Sequence, residues 1–428
     1  MGVDLLGGKG IRLYNLFPRL VGSMGRWRDE FPRIRNLGFN AVYVNPFHYP
    51  GFSGSLYSPK DYYKFNPIFI DGESSPNEQL RETIAACKYH DLLFIMDLVI
   101  NHTAIDCTLV QEHPDWYCRK PDGTIVNPGA WDNGKWVPWG DLAEIDNSRS
   151  PDRPNLWNFW WTMMSHYLDL GVDGFRCDAA YQIPDDLWCF LIQRSRQKKS
   201  SCMFLAESLG CSFQQVEKLA GLGFDYIFNS VKYWDFNQPW GMEQYFKTSP
   251  VVPSISFPES HDTPRLMAEM NGDTAAVKRR FLFSALFSKG IMMPIGYEWG
   301  YRKALNVVGT MPQHRENTGV DLSDYIRTVL RMKDEYYTLN REEGLQIIDQ
   351  DNWYNVFCFR RSAPGQKTIF VAMNKDRSHH QHLFIPDLER IFGQGTIRDV
   401  SPEYALPSVP RTFNYDLRPC EIKVLAQE

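Results

Sequence analysis

The stretch "GVDGFRCDAA", Gly171 to Ala180, is a short apolar run carrying an arginine and an aspartate two places apart, and helix-like sequence begins soon after it at "PDDLW", residues 184–188. Read as a strand, residues 174–178 alternate faces, so Arg176 and Asp178 point to one side and Cys177 to the other. A structural ion pair at a strand end accounts for these two residues as well as a reactive carboxylate held by a guanidinium does. The remainder of the chain has to decide between them.

Seven further runs share this apolar, β-branched or aromatic character: "IRLYNLF" from 11, "AVYVNPF" from 41, "LLFIMDLVI" from 92, "CMFLAES" from 202, "FDYIFNS" from 224, "SISFPES" from 254 and "IMMPIGY" from 291. Between them lie stretches of helical spacing, such as 77–90, 155–170, 184–197 and 274–289, most opened by Pro, Ser, Asn or Thr. Strands alternating with helices predict parallel β/α units, and eight such units close into a barrel. The expected fold is α/β: a (β/α)8 TIM barrel over residues 1–340, with an insertion over 103–153 and a C-terminal antiparallel β-sandwich over 341–428. The insertion, about fifty residues rich in Trp, Pro, Gly and Asp after the third strand, is too long for a plain connection and is expected to act as a lid over the strand ends. Beyond residue 340 short alternating segments such as "WYNVFCFRR", "KTIFVAMN" and "CEIKVLA" follow one another, mostly without helical runs between them.

Composition narrows the function classes. The chain has 428 residues, 43% of them hydrophobic and 23% charged, with a formal net charge of −5. Such a balance gives no electrostatic reason to expect nucleic acid. No run approaches the roughly 18 apolar residues of a membrane span, and the start lacks the basic and apolar regions of a secretory leader. Nine cysteines without a CxxC pair indicate neither a zinc ribbon nor a complete disulfide framework, and the expected setting is reducing and cytoplasmic. Thirteen Trp, 21 Tyr and 27 Phe serve a large core, or stack on the C–H faces of sugar rings. Neither a glycine-rich phosphate loop nor an HExxH motif is present.

In a barrel of this kind the chemistry lies at the C-terminal strand ends. Four runs end in carboxylates there: Asp97 in "MDLVINH", Asp178 in "GFRCD", Glu207 in "FLAES" and Asp262 in "FPESHD". Several carboxylates meeting at one mouth repel one another and raise at least one pKa, a cost that catalysis explains and packing does not.

The motifs "DLVINH" (97–102), "GFRCDAA" (174–180), "FLAES" (204–208) and "ESHD" (259–262), in that order, resemble the four regions of the α-amylase superfamily, glycoside hydrolase family 13, and "GSLYSPKDYYKFNP" (54–67) is similar to its segment after the second strand. The resemblance implies a retaining α-glycosidase or transglycosidase acting on α-1,4-glucans or maltooligosaccharides. It gives Asp178 the role of nucleophile, Glu207 that of general acid/base and Asp262 that of the third, transition-state-stabilising carboxylate. Arg176 matches the arginine facing the nucleophile, where a guanidinium favours the ionised carboxylate; Glu207 has to carry a proton and so needs burial or nearby negative charge. His102 and His261 match histidines that hydrogen-bond the sugar, Tyr57 the tyrosine stacked on it, and Asp97 a structural acid. Asn101 sits where many relatives touch calcium. No cofactor is otherwise implied, and the expected partner is an α-glucan or maltooligosaccharide.

Two departures bear on specificity. Ala179-Ala180 replaces the Lys-His pair with which many α-amylases contact the reducing-side sugar, so different acceptor subsites are expected. The stretch "EHPDWYCRKPDGTI" (112–125) is similar to sequences in maltosyltransferase-like branches, which implies transfer to sugar or phosphate acceptors as an alternative to hydrolysis. The tryptophans of "WDNGKWVPWGD" (131–141) suit a mini-core under the insertion or platforms for glucan, whereas those of "LWNFWWTMM" (156–164) suit packing on the barrel. A non-catalytic barrel that binds carbohydrate or protein is the rival from another class; such proteins usually lose the carboxylates that are present here.

Overall fold

The computed structural model describes residues 5–132 and 135–428. Eight parallel strands close into a barrel in chain order: β1 (Arg12–Leu16), β2 (Ala41–Val44), β3 (Leu93–Leu98), β4 (Gly174–Cys177), β5 (Met203–Ala206), β6 (Tyr226–Phe228), β7 (Ser254–Ser256) and β8 (Gly290–Pro294), with β8 returning to β1. Each of the eight runs read from the sequence supplies one strand. A helix follows each: α1 (Met24–Leu37), α2 (Pro76–Tyr89), α3 (Arg153–Leu170), α4 (Asp185–Lys198), α5 (Phe213–Ala220), α6 (Trp240–Thr248), α7 (Thr274–Phe287) and α8 (Ser323–Glu335).

Strand alternation sorts the side chains into two cores. Ile11, Leu13, Ile95, Met203, Leu205, Ile255 and Phe257 point inward and fill the barrel. Their neighbours Tyr14, Leu16, Phe94, Met96, Phe175, Cys177 and Phe204 point outward against the helices. The same parity turns Asp97, Arg176, Asp178 and Glu207 inward. Gly174 starts β4 because β5 runs close beside it: a Cβ there would stand 2.5 Å from the carbonyl oxygen of Met203.

Local signals set the helix ends. Ser75 and Glu78 form a reciprocal capping box at the start of α2, with Pro76 in its first turn. Glycines end α1 and α3: Gly38 and Gly171 have φ of 103° and 110°, where a side chain would be strained. On α3, Trp160 is fully buried, and Trp157 and Trp161 pack partly buried on the same core.

The segment between β3 and α3 builds short antiparallel pairs, His102–Ala104 with Leu142–Glu144 and Gly129–Asp132 with Lys135–Pro138. Trp116 anchors it, stacking on His113 at 3.8 Å and donating its Nε1–H to Asp152. Trp136 and Trp139 stay 46% and 41% exposed, so they do not build a mini-core; the side chain of Trp131 lies outside the described residues.

After α8, β9 (Leu345–Ile347), β10 (Val356–Arg361), β11 (Ile369–Asn374), β12 (Gln381–Ile385), β13 (Ile397–Asp399), β14 (Phe413–Leu417) and β15 (Ile422–Gln427) form a five-stranded sheet, β9-β10-β11-β15-β13, and the two-stranded pair β12-β14, all antiparallel. Val356, Phe370, Leu425, Leu383 and Phe413 from both sheets share one core. Aromatic contacts join this unit to the barrel: Phe357 stacks on Phe236 at 4.4 Å, and Phe359 meets Phe287 edge-on. Among the described residues, no helix is long and apolar enough to cross a membrane.

Candidate active site

The inward-facing polar residues at the C-terminal strand ends form one connected cluster around Arg176. Its guanidinium, almost wholly buried, donates from Nη1 to Asp97 at 3.0 Å and to Asp178 at 2.5 Å, and its Nη2 stands 4.0 Å from Glu207 Oε2. Three carboxylates from β3, β4 and β5 therefore converge on one cation. Asp97 is fully buried; burial pushes its carboxyl up, against the opposing pull of Arg176.

Burial alone would make such a cluster costly, and hydrogen bonds offset that cost. Asp97 Oδ2 accepts from the hydroxyls of Tyr43 and Tyr57, each at 2.6 Å. With its proton given to Asp97, the Tyr57 oxygen accepts from Asn45 Nδ2 at 2.9 Å and faces His261 Nε2 at 2.7 Å, so that nitrogen carries the hydrogen. The Tyr57 and His261 rings lie parallel, 2° apart in plane with centroids at 5.5 Å. His261 Nε2 also stands 3.0 Å from Asp262 Oδ2, which links the fourth carboxylate to the network. Burial, with Arg176 adding to it, pushes His261 down to about 3 and keeps it neutral. His102 is also held below its usual value by burial, and its Nε2 faces the Tyr57 carbonyl at 2.9 Å, an oxygen that only accepts. The Nδ1 atoms of both histidines are buried and have no hydrogen-bond partner among the described residues.

Glu207 differs from its neighbours. Its carboxyl is pushed up to about 7, first by burial and then by the charges of Asp178 and Asp262, with Arg176 pulling the other way. Its two oxygens accept backbone N–H groups, Oε2 from Ala179 at 2.9 Å and Oε1 from Leu209 at 2.5 Å. A carboxyl poised near neutrality can give and take a proton. Asp262 keeps 53% of its side chain exposed, so water tempers the upward push that the surrounding protein exerts on it. Tyr43, Phe228, Phe257 and Met292 line the small cavity that Arg176, Glu207, His261 and Asp262 also border, an apolar floor beneath the polar mouth.

The structure brings Tyr57, Asp97, His102, Arg176, Asp178, Glu207, His261 and Asp262 together. Asn101 stands at the edge, its amide donating to Gln182 at 2.6 Å. Among the described residues, no three His, Cys, Asp or Glu side chains gather as a metal ion would require. Sequence reading missed Tyr43, Asn45 and Asn15, whose amide donates to Asn45 at 2.8 Å. Asn15 and Tyr43 are polar residues at inward positions of β1 and β2 and Asn45 follows β2, but this pattern marks them only once closure of the barrel brings them to Asp97 and Tyr57. Cys177 faces the helix layer, fully buried, where its thiol stays protonated.

Comparison with known proteins adds three findings. The family profile described as "Glycogen debranching enzyme, glucanotransferase domain" matches residues 5–120. An α-1,4-glucan:maltose-1-phosphate maltosyltransferase of Burkholderia pseudomallei is 24% identical over 304 residues, covering 67% of this chain and 25% of the relative; a cyclomaltodextrinase of Geobacillus thermopakistaniensis is 21% identical over 384 residues, covering 81% and 61%. This chain thus spans less than two thirds of the length of either. The crystal structure of a noncanonic maltogenic α-amylase from Thermotoga neapolitana superposes with a TM-score of 0.78 at 18% identity, covering 99% of both chains, which shows a shared fold.

Proposed function

We propose that this chain is a member of the α-amylase superfamily and a retaining enzyme that cleaves or transfers α-1,4-linked glucosyl or maltosyl units of glucans or maltooligosaccharides. The observation that carries the reading is the single guanidinium of Arg176 lying against both Asp178 and Glu207.

In this mechanism Asp178 attacks the anomeric carbon while Glu207 gives its proton to the departing glycosidic oxygen, which takes the electron pair of the broken bond. Glu207, held near 7, still carries that proton in a useful fraction of molecules at neutral pH. Asp262 faces the positive charge that develops on the sugar ring, in a mouth with an apolar floor where electrostatic attraction is strong. The ester on Asp178 then yields to an incoming hydroxyl that the ionised Glu207 deprotonates. Two inversions at one carbon leave the α-configuration retained.

Water, a sugar hydroxyl and phosphate compete for the same intermediate. Transfer is supported by the glucanotransferase profile and the maltosyltransferase relative, hydrolysis by the cyclomaltodextrinase. Maltoheptaose incubated with the protein, with and without inorganic phosphate, separates them. Chains longer than the substrate mean transfer, sugar phosphates mean phosphate as acceptor, and only shorter sugars mean hydrolysis. A protein that forms none of these from any maltooligosaccharide is not the enzyme proposed.

A further inference from the structure

Ala179, directly after Asp178, has φ 41° and ψ 45°, the left-handed region that residues other than glycine seldom occupy. The strained turn has a consequence in hydrogen bonds. Glu207 N–H donates to the Cys177 carbonyl at 3.1 Å, Ala180 N–H donates to the Glu207 carbonyl at 3.2 Å, and Ala179 N–H donates to Glu207 Oε2 at 2.9 Å. The first of these continues the ladder between β4 and β5. The left-handed turn at Ala179 swings the next N–H, that of Ala180, back to the Glu207 carbonyl, and this bond holds the Asp178–Ala179 peptide with its N–H against the Glu207 carboxyl.

We infer that Ala179 is a positioning residue whose left-handed backbone locks the Glu207 carboxyl in register with Asp178. The catalytic part of this assignment rests on the roles proposed above for those two carboxylates. Three features favour it over a passive turn. The strained residue is an alanine, not the glycine that would relieve the strain, so the surrounding contacts must hold it. Its N–H is spent on a side-chain carboxylate that a functional site uses rather than on a backbone carbonyl. The carbonyl of Ala180 is itself tied to Trp188 Nε1 at 2.9 Å, which fixes the far side of the turn to helix α4. The small side chains at 179 and 180 leave the backbone itself to contact this flank of Glu207.

The N–H donor stabilises the charged form of Glu207, so its loss moves the alkaline limb of the pH–rate profile to higher pH. The decisive comparison uses two side chains of similar bulk. Ala179→Asn tolerates a left-handed backbone and should keep the limb in place and the turnover within about threefold; Ala179→Val resists that backbone and should lower kcat about tenfold or more, with KM little changed, and shift the limb up by about half a pH unit. Equal loss in both variants would assign the effect to bulk, and retention in both would remove the role; either result overturns the assignment. Hydrogen exchange tests the geometry without activity or the valine variant. In Glu207→Ala, exchange at the Ala179 amide should accelerate at least about tenfold while the amides of β4 and β5 keep their protection. Unchanged exchange at Ala179 would refute the lock even in a protein that turns over glucan, whereas an inactive wild-type chain with the predicted exchange would refute the proposed function alone.

Discussion

Arg176 binds Asp178 with the same nitrogen that binds Asp97: Nη1 stands 2.5 Å from Asp178 Oδ1 and 3.0 Å from Asp97 Oδ1. The guanidinium therefore serves the fully buried Asp97 and the partly exposed Asp178 at once. A lysine has a single nitrogen on a flexible stem, so it cannot hold Asp97 and Asp178 from a fixed plane and also present a second nitrogen to Glu207, as Nη2 does at 4.0 Å. Arg176→Lys should lower kcat/KM by about a hundredfold or more and cost roughly 2 kcal/mol of stability, since Asp97 loses part of its compensation. Steady-state kinetics on maltooligosaccharides and thermal unfolding measure the two effects. Wild-type values for both would show that the shared nitrogen does not matter.

Glu207 gives the pH dependence its sign. In the general-acid role proposed for it Glu207 has to be protonated, so kcat/KM should fall as pH rises through about 7. The same shift links to stability. The folded value lies above the ordinary carboxyl value of 4.5, so the contribution is fully present below pH 4.5 and is lost as pH rises to about 7, where the folded chain must carry a buried charge. Glu207→Gln removes that charge. Relative to wild type it should be stabilised by roughly 3 kcal/mol at pH 8 and almost unchanged at pH 4. Unfolding curves of both proteins at the two pH values check this; a variant less stable at pH 8 would mean that Glu207 is not held near neutrality.

The barrel was legible because each strand is a contiguous apolar run bounded by turn residues, and a period of two sorts "GFRCD" into inward Arg176 and Asp178 and outward Cys177 without reference to the rest of the fold. The carboxylates were legible because they interrupt those runs at the end where such barrels carry chemistry. The support beneath them was not. Tyr43 and Asn45 sit in "AVYVNPF", where a tyrosine suits any strand and an asparagine before proline suits any turn; only closure of the barrel brings them to Asp97 and Tyr57. Ala179 gives no signal, because left-handed backbone at an alanine is imposed by tertiary contacts against local preference. Trp136 and Trp139 show the converse, since their composition suited a core and their positions leave them at the surface.

Tyr57 is where the network is most exposed to a single atom. Its hydroxyl touches Asp97, Asn45 and His261, and loss of that oxygen takes a donor from the buried Asp97 and an acceptor from both the Asn45 amide, left with Tyr43 alone, and the His261 N–H, left with Asp262 alone. Tyr57→Phe should cost roughly 1–3 kcal/mol of stability. It should also lower kcat about tenfold or more, because His261 and Asp262 lose their fixed orientation. Chemical unfolding and kinetics on the purified variant measure both, and a variant as stable and active as wild type would remove Tyr57 from the support of the site.

A retaining reaction of the proposed kind requires that Asp178 bond to the sugar. A slow 5-fluoro-α-glucosyl fluoride, which accumulates the glycosyl-enzyme of a retaining mechanism, followed by peptic digestion and mass spectrometry, reads that bond directly. One hexosyl adduct on the peptide holding Asp178, absent from Asp178→Asn, is the predicted result. An adduct on another carboxylate, or steady turnover of glucan with inversion of the anomeric centre, would contradict it.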